Sequence, residues 1–178
     1  NWQKDPWLGD GETLAPPDYT GASAALDVDR GHQAPLAALS APPHAQDTNI
    51  LSNITPQRKG LNQSSWMLLE AAERKLAVDG GKTVYVLTGP LYERMMAPLP
   101  QTAKLHRVPS GYWKVIAIEE GGRTSLSSFV FEQETPRGAD FCAMRKPLTE
   151  LELRALLRLF PRVGARSFAS LDAELGCR

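Results

Sequence analysis

The chain is poor in the residues that most often build metal and redox centres. Among 178 residues it has two cysteines, Cys142 and Cys177, and three histidines, His32, His44 and His106. Two thiols cannot complete a four-ligand zinc site, and neither CxxC, HExxH nor a closely spaced histidine pair occurs. These absences exclude a zinc phosphoesterase or metallopeptidase. No apolar run reaches the roughly 18 residues that a membrane span needs, so no membrane partner is expected. Net charge is missing too, with 20 basic against 20 acidic side chains. A stoichiometric nucleic-acid binder usually carries a clear basic excess. Neutrality therefore speaks against a storage or architectural role, but not against an enzyme that needs only a local basic patch. The two cysteines allow two readings: unrelated buried thiols, or one disulfide tying the C-terminal tail to the domain in an oxidising compartment. The second is favoured, and chain-entropy arithmetic gives it roughly 3–4 kcal/mol.

What is present fits one domain, residues 1–178, with 42% apolar content and enough length to bury a core. Residues 1–25 read as an irregular arm ending in a turn at Tyr19-Thr20-Gly21. A loop, Ala41-Pro42-Pro43-His44, precedes a short apolar run at Asn49–Ile54, which Thr55-Pro56 breaks. Leu61 to Val78 carries the best helical pattern, terminated by Asp79-Gly80-Gly81. Strands are expected at Lys82–Thr88, ending at Gly89-Pro90, and at Ala103–Val108. Two more, Tyr112–Glu119 and Ser125–Glu132, flank the hairpin signal Glu120-Gly121-Gly122-Arg123. Thr149-Glu150-Leu151-Glu152 has the form of a capping box opening a helix to about Phe160. The fold class is α+β, a central antiparallel sheet with helices on its faces.

Two strings carry candidate chemistry. Asp29-Arg30-Gly31-His32 places a histidine after a glycine that permits a tight turn. Leu61-Asn62-Gln63-Ser64-Ser65-Trp66-Met67-Leu68-Leu69-Glu70 sets Asn62, Trp66 and Glu70, followed by Arg74, on one helical stripe. A base beside a weak oxygen ligand for a hard cation is what water-driven phosphodiester cleavage requires. Each residue alone also has a structural reading: Asn62 as a helix cap, Glu70 and Arg74 as an i, i+4 ion pair, Trp66 as core. His44 and His106 are read as structural. The combination on one stripe is what points to a site.

The chain closely resembles the DNA/RNA non-specific endonucleases of the Serratia nuclease type, with the ββα-metal fold. The resemblance rests on Asp18-Tyr19-Thr20-Gly21-Ala22, Val28 to Ala37 with the DRGH string, and Leu51-Ser52-Asn53-Ile54-Thr55-Pro56-Gln57. It continues through the helix motif, Thr88-Gly89-Pro90-Leu91-Tyr92-Glu93-Arg94, Tyr112-Trp113-Lys114-Val115 and Thr135 to Cys142. It implies His32 as general base and Asn62 as the one direct protein ligand of Mg²⁺, which Mn²⁺ could replace. Glu70 would orient the waters around the ion, and Arg30 and Arg74 would contact phosphate or offset charge in the transition state. Asp29 and Asn53 would support the site. DNA and RNA, single- or double-stranded, would be cut to products carrying a 5′-phosphate. The family's Asp-Phe-Cys segment, and its cysteine near the C-terminus, imply that Cys142 and Cys177 are joined.

One departure from the family pattern stands out. Members carry further strands and a catalytic arginine just ahead of the residues matched by Asn1-Trp2. Either the chain is clipped after that arginine, in which case the strands are expected to remain bound as a separate N-terminal peptide, or the sequence is a fragment; homodimerisation is left open. A catalytically impaired relative that binds nucleic acid or an inhibitor is the alternative reading; intact His32 and Asn62 argue against it. Asn53-Ile54-Thr55 and Asn62-Gln63-Ser64 both match the N-glycosylation pattern. A glycan on Asn62 would destroy the metal site, so a secreted or periplasmic protein of bacterial origin is expected.

Overall fold

A computed structural model describes all of the chain except residues 40–43 and 162–166. The loop expected at 41–43, and the side chain of His44, lie outside the described residues. A 3-10 turn at Pro16–Tyr19 and a short helix α1 (Ala22–Leu26) lead into strand β1 (Val28–His32). β1 pairs antiparallel with β2 (Ile54–Arg58), with His32 opposite Ile54 and Asp29 opposite Gln57. The chain turns at once into α2 (Lys59–Leu61), a π-turn at Asn62–Trp66 and α3 (Met67–Val78). Two strands and a helix thus follow one another across a small hairpin.

The larger sheet holds β3 (Val84–Leu91), β4 (Gly111–Glu120), β5 (Arg123–Glu132) and β6 (Ala169–Ser170) in that order. Its main pairings are antiparallel, and β6 adds a two-residue parallel edge to β5. Strand periodicity sorts β4 into two cores. Tyr112, Ile116 and Ile118 face α3, packing with Leu61, Trp66, Leu69, Phe129, Phe131, Leu171 and Leu175. Trp113, Val115 and Ala117 face the other way, against Leu126, Val130 and Leu151 of α4 (Leu148–Ala155). A third cluster, with Tyr19, Val28, Leu51, Ile54 and Leu99, underlies the hairpin. Tyr112 and Gln133, both fully buried, join hairpin to sheet. The Tyr112 hydroxyl donates to Pro56 O at 2.8 Å, and Gln133 Nε2 donates to the same oxygen at 2.9 Å.

Several local expectations are corrected. β3 does not stop at Gly89-Pro90 but runs through both to Leu91. It is an edge strand, where proline's missing N–H is tolerated. Gly89 leaves room for the Trp113 ring, which a Cβ there would meet at 2.8 Å. Residues 103–108 form no strand; His106 instead accepts from Leu99 N at 2.9 Å and holds a loop. Pro147, not Thr149, occupies the N-cap of α4, without a side-chain cap. That helix ends at Ala155 because Leu156 turns left-handed (φ 54°), well short of Phe160. The disulfide between Cys142 and Cys177 is formed. No helix among the described residues is long and apolar enough to cross a membrane.

Candidate active site

β1 ends at His32, and the hairpin register delivers it beside Asn62 at the mouth of the π-turn. A cleft of about 390 Å³ is lined by Trp2, Tyr19, Asp29, Arg30, His32 and Asn62. A neighbouring cleft of about 290 Å³ shares His32 and Asn62 and adds Gln63, Met67 and Glu70. The structure thus brings together five of the expected residues: Asp29, Arg30, His32, Asn62 and Glu70. Arg74 stands apart from them. It lines a third cleft of about 500 Å³ with Gln33, Pro35, Leu39 and Val86, and its Nη1 donates to the Glu70 carbonyl at 3.3 Å. The i, i+4 contact thus runs to the backbone and not to the Glu70 carboxylate.

Gly31 serves a different purpose from the turn expected of it. It lies inside β1, and a Cβ there would meet Gln57 Cβ at 2.6 Å. The fully buried Gln57 fills that space from the partner strand. Next to it, His32 Nε2 lies 3.1 Å from Asn49 Oδ1, and the Trp2 ring packs on the imidazole at 5.4 Å between centroids. The Arg30 guanidinium is held between the Trp2 and Tyr19 rings, 5.5 and 5.1 Å from their centroids. Its Nη2 donates to Pro16 O at 3.2 Å, while Nε is buried with no hydrogen bond. Asn49, Trp2 and Tyr19 are the neighbours that sequence reading missed. Nothing in their spacing links them to His32. The backbone links Gln3 N to Asn49 O at 3.2 Å and Leu51 N to Gln3 O at 2.9 Å, and these long-range bonds help bring Trp2 in.

Asn62 Nδ2 donates to Asp29 Oδ2 at 2.9 Å, and Gln63 Nε2 donates to the same oxygen at 2.8 Å. This bond sets the amide's orientation and leaves Asn62 Oδ1 with no hydrogen bond among the described residues. Asn53 acts at a distance: its side chain donates to Ala34 O and Thr48 O and accepts from Ala34 N, each at 2.9 Å. It ties down the segment that leaves His32.

Trp66 departs from the expected stripe. The π-turn, with Ser64 in a non-helical conformation (φ −136°, ψ −107°), resets the helix phase, and the indole enters the core against Tyr112 and Phe131. Behind it lies a buried charge cluster. Lys114, fully buried on β4, sits 3.1 Å from Glu73, 3.8 Å from Glu70 and 4.6 Å from the Trp66 ring centre. One ammonium serves two carboxylates. Burial pushes the Glu70 carboxyl up to about 7 against the pull of Lys114, and Glu73 adds to the rise. Glu73 is raised as well, again by burial, with Lys114 opposing. Glu70 Oε1 is buried without a hydrogen bond.

An antiparallel hairpin carrying a histidine, followed by a helix carrying an amide, is the arrangement of the ββα-metal nuclease fold. The profile of the DNA/RNA non-specific endonucleases matches residues 1–164. The chain is 50% identical over 179 residues to a nuclease of Serratia marcescens, covering 99% of this chain and 67% of that protein. It is 36% identical over 129 residues to the mitochondrial endonuclease G of Bos taurus, 64% of this chain and 40% of the other. A nuclease of Syncephalastrum racemosum is 29% identical over 174 residues, 84% of this chain and 52% of that one. The matched region therefore spans from two fifths to two thirds of these relatives' length. The chain belongs to the DNA/RNA non-specific endonuclease family.

Proposed function

We propose that the protein is a sugar-non-specific, Mg²⁺-dependent endonuclease that hydrolyses phosphodiester bonds of DNA and RNA to 5′-phosphorylated products. The observation that carries this reading is the convergence of His32, Arg30 and Asn62 on one cleft, with Asn62 turned by Asp29 so that its oxygen is free. The donor set fits a hard cation. Among the described residues no three His, Cys, Asp or Glu side chains cluster as a metal cage. A single amide oxygen, with waters and phosphate oxygens around it, suits an ion that gives up its hydration reluctantly. Glu70 lines the adjoining cleft, where its carboxyl would accept hydrogen bonds from those waters while Lys114 lies 3.8 Å behind it.

In this reading Asn62 would hold the ion, which would supply positive charge to offset that of the phosphate as the bond breaks. Asn49 presents a carbonyl oxygen to His32 Nε2, so the neutral imidazole carries its proton there and keeps Nδ1 as the basic nitrogen. His32 takes a proton from the attacking water. Arg30, gripped by two rings and with no acidic partner among the described residues, offers its remaining N–H groups to phosphate oxygen. Arg74 acts from the third cleft as a more distant phosphate contact. Mn²⁺ replaces Mg²⁺ because both accept oxygen donors. A secreted or periplasmic bacterial setting accords with the disulfide. Supercoiled plasmid and a structured RNA, each incubated with Mg²⁺, Mn²⁺ or EDTA, test the proposal. Both should be degraded with either metal and spared by EDTA, and the fragments should ligate without prior phosphorylation. Cleavage unaffected by EDTA, or ends bearing a 3′-phosphate, would overturn it.

A further inference from the structure

A surface arginine beside the cleft is held there by a relay of side chains. Arg137 is exposed, and its Nη2 donates to Gln63 Oε1 at 2.7 Å. Gln63 donates in turn to Asp29 Oδ2, the oxygen that also accepts from Asn62. The backbone around Arg137 is fixed as well. Gly138 N donates to Ser64 Oγ at 2.7 Å inside the π-turn, and Ala139 N closes on Pro136 O at 3.1 Å. Asp140 then caps the 3-10 turn that contains the disulfide-bonded Cys142.

Other arginines of the fold are neutralised: Arg94 by Glu134, Arg145 by Asp172, Arg154 by Glu93 and Glu132. Among the described residues Arg137 has no carboxylate within ion-pair distance. A guanidinium offers five N–H donors in a planar fork, and the bond to Gln63 leaves most of them free. Gln63 lines the cleft shared by His32, Asn62 and Glu70. A strand whose reacting phosphate lies in that cleft would carry its adjoining backbone past Gln63 toward Arg137.

Resting on the nuclease reading above, we propose that Arg137 is a substrate-binding residue that contacts a backbone phosphate flanking the bond to be cut. Such a contact fixes the strand without reading bases, which suits cleavage with no sequence preference. It also explains how a chain of zero net charge grips a polyanion: among the described residues Arg30 in the cleft and Arg137 beside it have no carboxylate partner, while Arg94, Arg145 and Arg154 are cancelled.

The test is the salt dependence of binding on a His32→Ala background, which halts turnover. Anisotropy of a labelled duplex of about 20 base pairs is read with millimolar Mg²⁺ between about 50 and 200 mM KCl. Arg137→Gln should reduce the slope of log affinity against log salt by about 0.9, one phosphate contact. Its deficit relative to the parent should therefore shrink about 3.5-fold across that fourfold salt range. Arg137→Lys keeps the charge and should keep the slope. Lys146→Gln, whose ammonium already lies 3.4 Å from Glu150, should leave the slope unchanged. An unchanged slope in an Arg137→Gln protein that melts with the parent overturns the proposal. If that variant melts lower, the lysine variant decides, since a slope lost despite retained charge also overturns it. A wild type that neither binds nor cuts nucleic acid removes the nuclease reading and this one together. A wild type that cuts, with an unmoved slope, removes Arg137 alone.

Discussion

Replacing Glu70 with glutamine should make the protein more stable at alkaline pH and much less active. The carboxyl is pushed up to about 7 from an ordinary 4.5, chiefly by burial, with Lys114 and Arg74 opposing and Glu73 reinforcing the rise. Below pH 4.5 Glu70 is protonated in both folded and unfolded chains, so burying it exacts no ionisation penalty. As pH rises toward 7 the unfolded chain ionises first, and stability falls until the folded group has also ionised. The gap from 4.5 to about 7, at 1.36 kcal/mol per pH unit, comes to roughly 3 kcal/mol. About a quarter of that is already lost at pH 5, so roughly 2–3 kcal/mol remains to be seen between pH 5 and pH 8.5. Glutamine keeps the shape and abolishes the titration, while Lys114 retains Glu73 at 3.1 Å. Urea unfolding followed by tryptophan fluorescence, with EDTA present, should show the variant gaining on wild type over that range. A stability difference constant to within about 0.5 kcal/mol from pH 5 to pH 8.5 would refute the reasoning, because it would mean that Glu70 ionises as freely folded as unfolded.

Other substitutions separate the roles around it. His32→Ala should lower plasmid cleavage by about 10²–10⁴-fold while leaving Mg²⁺ binding, read by calorimetry, in place; near-normal turnover would remove it as base. Asn62→Ala should raise the Mg²⁺ needed for half-maximal rate more than Glu70→Ala does, and the reverse order would exchange their roles. Gly31→Ala should destabilise by about 1–3 kcal/mol through overlap with Gln57, with much of the loss recovered in a Gly31→Ala, Gln57→Ser double variant. An unchanged urea midpoint would show that the hairpin can spread. Cys177→Ser should lose roughly 3–4 kcal/mol, because the bridge closes a loop of 35 residues in sequence separation; stability matched by the reduced wild type but not the oxidised one is the expected pattern.

The sequence makes the architecture legible where periodicity is strong. The β4–β5 hairpin appears within a residue or two of its expected bounds, since Gly121-Gly122 fixes the turn and both strands are buried. Helix α3 is equally plain in its C-terminal part. The start of that helix is where pattern reading fails. An i, i+4, i+8 stripe assumes constant pitch, and the π-turn breaks it, so Trp66 leaves the site for the core while Asn62 and Glu70 stay. The buried Lys114 could not be anticipated either. A lysine in an apolar strand reads as solvent-facing or as an interruption, and only tertiary placement of Glu70, Glu73 and Trp66 makes its burial tolerable. Similarly, His106 sits in a segment of alternating polarity that resembles a strand but has no pairing partner. Arg30 and His32 were legible because DRGH is compact, whereas Asn49 and Trp2 join them only across the fold.

The cysteine bridge does more than fasten a tail. Leu171, Leu175 and Cys177 pack in the same cluster as Leu61, Trp66 and Leu69, the wall on which the helix behind Asn62 and Glu70 rests. That wall draws on residues from 61 to 177, so it cannot close around a chain emerging from a ribosome until nearly all of that span is free. In a reducing compartment the clasp that holds its final segment stays open. A chain built this way gains the last few kcal/mol of its rigidity late in synthesis, roughly 3–4 kcal/mol from the bridge, and in a compartment that supplies an oxidant.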